Sequence, residues 1–247
     1  MEKLGEVLAH RRWVRRQRPF PHVVAQNVFV PEFYAELEAH FRSIERRHYK
    51  GSNNGYAAVT SEIRHHPGPL QIFLSREWHD LIAGLGGVVR TTGDVTVALH
   101  HHEPGGEPGW PHHDLAPGWY GDPPPGPHEV QAEDDRVDYF TGACPDGVTA
   151  RETIRAVSVL YYLGNPEWSP GDGGETGLYP SHASGLRQDG TMVPPINNSI
   201  VVFECTPYSW HAYAGYARHE RNCVVMWVHR PKQDVIDIWG ESGIVYW

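Results

Sequence analysis

Apolar and polar residues change their spacing several times along this chain. Phe33, Leu37, Phe41 and Ile44 recur every three or four residues after Val30-Pro31, which predicts a helix to about Arg47. A proline in the first turn suits the fixed φ of that residue. A second, shorter helix is predicted over 78–85, stopped by the glycines of Gly84-Leu85-Gly86-Gly87. Elsewhere the spacing is that of strands: 20–24, 94–102, 156–163, 176–179, 200–204 and 223–229. Residues 1–18 read as a polar helix, 52–69 as a loop with one short strand, and 234–239 as a short closing helix. Turn-rich loops fall at 103–111 and 164–175, and the sequence has no internal repeat. Many short strands following N-terminal helices predict a mainly β protein, a sandwich or barrel with helices packed outside.

One stretch does not fit this rhythm. Residues 116–153 are rich in proline, glycine and acidic side chains, as in APGWYGDPPPGPHEVQAEDD. A long irregular segment inside a compact domain is usually a functional lid or a disordered insert.

Composition narrows the possibilities. A chain of 247 residues can bury roughly 70% or more of its unfolded surface without disulfide staples. Its three cysteines, Cys144, Cys205 and Cys223, form no CxxC pair, and the last two sit in strand-like runs as buried thiols. The longest apolar runs have strand length and fall far short of a membrane span. The N-terminal MEKLGEVLAH carries no apolar signal core, so the protein is expected to be cytoplasmic. A net charge of -9 argues against a nucleic-acid partner, which needs a basic face. The basic cluster RRWVRRQR at 11–18 reads as a solvated helix face. Neither nucleic acid nor membrane is expected as a partner.

The 17 histidines direct attention to metal chemistry, because imidazole is the commonest transition-metal ligand. On extended backbone, residues two apart share a face, so His112 and Asp114 place an imidazole beside a carboxylate. His211, just after a predicted strand, offers the third ligand of a two-histidine, one-carboxylate triad with open positions. A two-residue pattern in a histidine-rich chain arises often by chance, so the second half of the chain carries the discrimination. Arg221 opens the strand RNCVVMWVHR, which can run beside the strand before His211 and point a guanidinium inward. A buried arginine needs an anionic partner, and a carboxylate is its natural bidentate one.

The set His112-x-Asp114, His211 and Arg221 resembles the Fe(II)/2-oxoglutarate-dependent dioxygenases, within them the prolyl-4-hydroxylase-like branch. AVSVLYYLGNPEWSPGDGGETGLYP at 156–180 is similar to that branch's strand and GGE loop, and FPHVVAQNVFVPEFYAELEAHF at 20–41 to its entry strand and first helix. The resemblance implies a double-stranded β-helix (jelly-roll, cupin-like) core with N-terminal helices outside. It implies one dioxygenase domain over 1–247, with helical support in 1–90, the core in 91–231, a lid-like insert at 116–153 and a tail at 232–247. It implies Fe(II), 2-oxoglutarate and O2 as cofactor and co-substrates. His112, Asp114 and His211 would be the catalytic metal ligands, and Arg221 and Tyr162 would hold the far carboxylate of 2-oxoglutarate. Where the family often has a co-substrate tyrosine ten residues before the first histidine, this chain has His102. Retention of Asp114, where family halogenases have a small residue, implies hydroxylation, desaturation or ring closure instead.

The insert is the expected reader of the substrate. Trp119, Tyr120, Asp134, Asp135, Arg136 and Tyr139 interleave charge with aromatic rings, which suits a polar or cationic small molecule. An amino acid or a sugar- or aminoglycoside-like precursor is the leading substrate class. A protein residue hydroxylase, a cupin-type metalloenzyme without 2-oxoglutarate, and a non-catalytic carbohydrate- or metal-binding sandwich are the alternatives. His113 is expected to turn away from the metal. Trp227 faces the same side as Arg221, as a pocket wall or a core aromatic, and Glu175 is read as structural.

Overall fold

The computed structural model describes residues 3–9, 12–51, 58–186 and 188–246. The expected loop residues 52–57, and Arg11 of the basic cluster, lie outside that set.

Thirteen strands lie among the described residues. They are β1 (Val14–Arg16), β2 (His22–Gln26), β3 (Lys50–Gly51), β4 (Ala58–Glu62), β5 (Asp94–His102), β6 (Pro117–Gly121), β7 (Gln131–Ala132), β8 (Ala150–Tyr162), β9 (Thr176–Tyr179), β10 (Thr191–Val193), β11 (Ser199–Glu204), β12 (Trp210–Tyr213) and β13 (Arg221–Pro231). The α-helices are α1 (Leu4–Val7), α2 (Pro31–Ser43), α3 (Arg76–Gly86) and α4 (Lys232–Trp239). The large sheet runs β1-β2-β11-β8-β13-β5-β4-β3, every neighbouring pair antiparallel. A smaller antiparallel sheet, β10-β9-β12, faces it and is extended by a bridge between His112 and His211. The fold is the double-stranded β-helix that the chain's resemblance implied.

Strand alternation divides the core in two. Val157, Val159 and Tyr161 of β8, with Val224, Met226 and Val228 of β13, point away from the small sheet. They pack beneath Phe33, Leu37 and Phe41 of α2 and Trp78 and Ile82 of α3. Leu160, Tyr162, Val201, Phe203, Cys223 and Val225 point the other way and meet Leu178 of the small sheet. Ser75 caps α3 by accepting the Trp78 amide, and Gly87 ends it in the left-handed conformation. Gly86 lets the helix lie close to the sheet: a Cβ there would fall 2.6 Å from a Val157 methyl.

Several boundaries differ from the sequence reading. Residues 1–18 are not one helix: α1 stops at Val7, and Val14–Arg16 pairs with β2 as an edge strand. Its exposed arginines are side chains that protect a free edge from further pairing. Helix α2 ends at Ser43 rather than Arg47, with Ile44 already extended. Strand β8 begins at Ala150, six residues before its apolar run, because its charged residues have partners. Arg151 grips the fully buried Asp94, and Lys232 reaches Glu152 at 2.8 Å. The 116–153 segment is partly regular, since β6 pairs with β8 and β7 runs parallel to β5. No helix among the described residues is long and apolar enough to cross a membrane.

Trp78 is fully buried and stacks on Phe29 at 5.5 Å. Trp78→Ala is expected to cost about 3–5 kcal/mol of folding stability. Val89→Ala, at a fully exposed position, should stay within about 0.5 kcal/mol. Urea unfolding of both variants checks the contrast.

Candidate metal centre

The backbone brings the first and third candidate ligands side by side. His112 and His211 exchange amide hydrogen bonds, 3.0 Å from the His112 amide and 2.8 Å from the His211 amide. Each ring then hydrogen-bonds through Nδ1 to a backbone carbonyl two residues earlier, His112 to Trp110 at 2.9 Å and His211 to Ser209 at 3.0 Å. Both Nδ1 atoms therefore donate, and both Nε2 atoms are directed at Asp114. This is the outer hydrogen bonding that orients metal-bound imidazoles. His112 Nε2 lies 3.8 Å from Asp114 Oδ1, and His211 Nε2 lies 3.3 Å from Oδ2. One donor atom from each residue falls within 4.8 Å of the others. Metal bonds of about 2.0–2.2 Å fit donors spaced in this way.

Asp114 is buried and held from three directions. Trp227 Nε1 donates to Oδ2 at 2.8 Å, and Ser158 Oγ donates to the same oxygen at 3.1 Å. Arg155 Nη1 stands 3.5 Å from Oδ1. Burial alone would raise this carboxyl, but His211, Arg155 and His112 outweigh it and hold the group well below the usual carboxylate range. Burial, with His211 beside it, pushes His112 down to about 4, which leaves it neutral and able to ligate. His211 moves the other way: burial lowers it, but the attraction and hydrogen bond of Asp114 raise it more.

Strand register explains the arrangement. Ser158, Trp227 and Thr96 are paired across β8, β13 and β5, so all three point to the same inner face. The next inner rungs along the strands are Leu160-Val225-Ala98 and Tyr162-Cys223-His100, followed by Arg221 opposite His102. In β8 a register shift leaves Ala156 as the extra residue, Val157 opposite Val228 and Arg155 opposite His229. This bulge turns Arg155 inward, where regular alternation from Val157 would not. Its guanidinium lies 3.9 Å over the Trp227 ring, and its Nε donates to the Tyr139 hydroxyl at 3.0 Å.

Arg221 is buried deeper along the same face. Its Nε donates to the Gly174 carbonyl at 2.9 Å, and Nη2 to Thr176 Oγ1 at 2.9 Å. Gly174, in the GGE loop, has φ +79°, a conformation that suits glycine. Tyr162 shares Thr176 Oγ1 at 2.7 Å, and the guanidinium lies 5.3 Å from the centre of its ring. Among the described residues no carboxylate lies within ion-pair distance of Arg221. His102 stacks on Tyr213 at 4.2 Å, and its Nδ1 is buried without a hydrogen-bond partner. Burial and then Arg221 push His102 down to about 2, so it is neutral.

The expected substrate residues are scattered. Tyr120 is buried with its hydroxyl 2.8 Å from Thr96 Oγ1, and Tyr139 is buried against Arg155 and His229. Trp119 packs across Gly142. Asp134 pairs with Arg136 at 2.8 Å, and Asp135 with Arg64 at 2.7 Å, at half-buried or exposed positions. His113 turns away, as expected, onto the edge of Trp210. Sequence reasoning passed over Ser158, Arg155 and Thr176, and it left Trp227 without a partner. An arginine adjoining the apolar run AVSVLYYL was the available signal for Arg155.

Residues 125–229 match the family described as the 2OG-Fe(II) oxygenase superfamily. The matched stretch includes His211 and Arg221 and begins after His112 and Asp114. A Pseudomonas putida prolyl-4-hydroxylase is similar in structure at 18% identity and TM-score 0.55, with 85% of this chain and 92% of that chain covered. A prolyl hydroxylase from Trichoplax adhaerens, in complex with a hypoxia inducible factor peptide fragment, gives 16% and 0.56, covering 88% and 86%. SnoK, an alpha-ketoglutarate-dependent carbocyclase from nogalamycin biosynthesis, gives 13% and 0.51, covering 85% and 79%. At these identities the similar structures speak for the fold alone. No curated protein matches the chain in sequence. Over residues 125–229 the chain matches the 2OG-Fe(II) oxygenase superfamily, enzymes that use Fe(II), 2-oxoglutarate and O2, and its double-stranded β-helix around a His-Asp-His cluster agrees with that match.

Proposed function

We propose that this oxygenase oxidises an unactivated C–H bond of a polar small molecule, with His112, Asp114 and His211 as Fe(II) ligands. Arg221 and Tyr162 receive the far carboxylate of 2-oxoglutarate, and His102 lines that pocket. The observation that carries this reading is the pairing of a pre-oriented triad with a buried arginine whose hydrogen bonds all go to neutral groups. The unpartnered Nδ1 of His102, opposite Arg221 in the strand register, supports a ligand in the same space. Bound Fe(II) with 2-oxoglutarate and O2 supplies the oxidising power, and succinate and CO2 are released. The protein's residues bind, orient and exclude water.

We read 91–231 as the catalytic core, 1–90 as its support, 232–247 as a tail, and the 116–153 insert as the substrate side of the site. Tyr120 and Tyr139 bring that insert onto the inner face, and Trp119 anchors it. A carboxylate at position 114 fits hydroxylation, desaturation or ring closure. The prolyl hydroxylases and the carbocyclase of similar fold support keeping these outcomes together. The peptide complex of the Trichoplax relative favours a protein target as the second reading. Three free cysteines fit a reducing compartment, and we place the enzyme in the cytoplasm.

The direct test is succinate release coupled to O2 consumption, compared across candidate metabolites and proline-containing peptides. Stimulation by a metabolite is expected; stimulation by peptides alone would favour the second reading. Asp114→Ala and His211→Ala should each abolish Fe(II) binding while far-UV circular dichroism stays unchanged. Arg221→Ala should weaken 2-oxoglutarate binding about 100-fold, the loss of a buried charged pair, as read by calorimetry on the Zn(II)-loaded protein. Trp227→Phe keeps the ring and removes one donor from Asp114. About 10- to 100-fold weaker metal binding is expected, with the stability change small beside it.

A further inference from the structure

The acidic residues of the insert are unequally provided for. Asp134 closes a turn onto the Arg136 amide at 2.7 Å and onto its guanidinium at 2.8 Å. Asp135 reaches Arg64 at 2.7 Å. Glu133, immediately after β7, has a hydrogen bond from Thr96 but no charged partner among the described residues, and its Oε2 is shut off from solvent without a hydrogen-bond partner. The side chain as a whole is only half-buried, although protein surrounds it closely.

Its neighbours place it beside the inner face of the large sheet. Thr96 lies beside the Glu133 carboxyl, with Glu62, Arg64 and Arg155 acting on it from around. Thr96 belongs to the inner rung whose other members, Trp227 and Ser158, hold Asp114. Glu133 therefore stands at one end of the rung that carries the metal-site carboxylate at the other. Burial, reinforced by Glu62, raises its carboxyl to about 7 against the Thr96 hydrogen bond and the pull of the two arginines. Neither arginine is spare. Arg64 pairs with Glu62 at 2.6 Å and with Asp135, and Arg155 is turned to Asp114, Tyr139 and Trp227.

A carboxylate with one oxygen shut off from solvent and without a donor is costly, and a cation supplied by a ligand relieves that cost. We propose that Glu133 is the substrate anchor of this enzyme, receiving an ammonium or guanidinium group, so that the substrate is a small organic cation. The proposal rests on reading His112, Asp114 and His211 as the oxidising centre. It narrows the polar small molecule to an amine-bearing one.

The test uses n-butylammonium and its neutral counterpart n-butanol as probes on the anaerobic protein loaded with Fe(II) and 2-oxoglutarate. The wild type is expected to bind n-butylammonium saturably and at least tenfold more tightly than n-butanol in calorimetry. Glu133→Gln keeps the shape and removes the charge, so it should erase that preference. The visible absorption of the Fe(II)–2-oxoglutarate pair is recorded in the same samples and should persist in both proteins. Equal binding of the two probes by the wild type, no binding of n-butylammonium up to about 100 mM, or a preference that survives in Glu133→Gln each overturn the role of Glu133. Tighter binding of n-butanol would assign Glu133 a neutral, hydrogen-donating role and also overturn it. Absence of the visible band from the wild type would instead overturn the metal-site reading on which the proposal rests.

Discussion

The site depends on keeping one carboxylate charged in a place where water cannot help. Asp114 is buried, and burial by itself favours its neutral form. Two donors, Trp227 and Ser158, fix one of its oxygens, with His211 Nε2 beside it, while the Arg155 guanidinium stands at the other. All of these groups reach Asp114 because three strands place their inner residues in one rung and a bulge adds Arg155 to it. The large sheet is thus the scaffold for a negative point charge. The small sheet contributes the imidazoles through the His112–His211 bridge. A divalent cation is the species that satisfies both halves together.

A second buried charge is arranged by the same register but left open. Arg221 is anchored at its Nε by the turned carbonyl of Gly174 and at one terminal nitrogen by Thr176. These neutral contacts hold the guanidinium in place without cancelling its charge. The deficit calls for an anion, as the Asp114 cluster calls for a cation. Glu133, with one carboxyl oxygen unpartnered, adds a third beside the same inner face. One metal, one dicarboxylate and one organic cation would balance the three in turn.

Much of this was legible in the sequence because strand alternation is a local property. His112 and Asp114 share a face by their spacing, and Arg221 and Trp227 do so along β13. The helices α2 and α3 followed from apolar spacing, a proline start and a glycine stop. What alternation could not reveal was a break in itself. Arg155 has the sequence parity of Val157 and Val159, which face the helices, and only the bulge brings it to Asp114. The insert was hidden for a different reason. Its acidic residues look alike in sequence, and only tertiary contacts separate Asp134 and Asp135, which have arginine partners, from Glu133, which has none. The first residues misled because their arginines suit a solvated helix face and an edge strand equally well.

The central claim is that one inner face binds metal and 2-oxoglutarate together. The measurement that tests it most directly is a crystal structure of the protein prepared anaerobically with Fe(II) and 2-oxoglutarate, with anomalous data at the iron edge. The account predicts one iron peak bounded by His112 Nε2, His211 Nε2 and the Asp114 carboxylate, with the far carboxylate of 2-oxoglutarate on Arg221. An iron peak elsewhere, or 2-oxoglutarate bound away from Arg221, would contradict it.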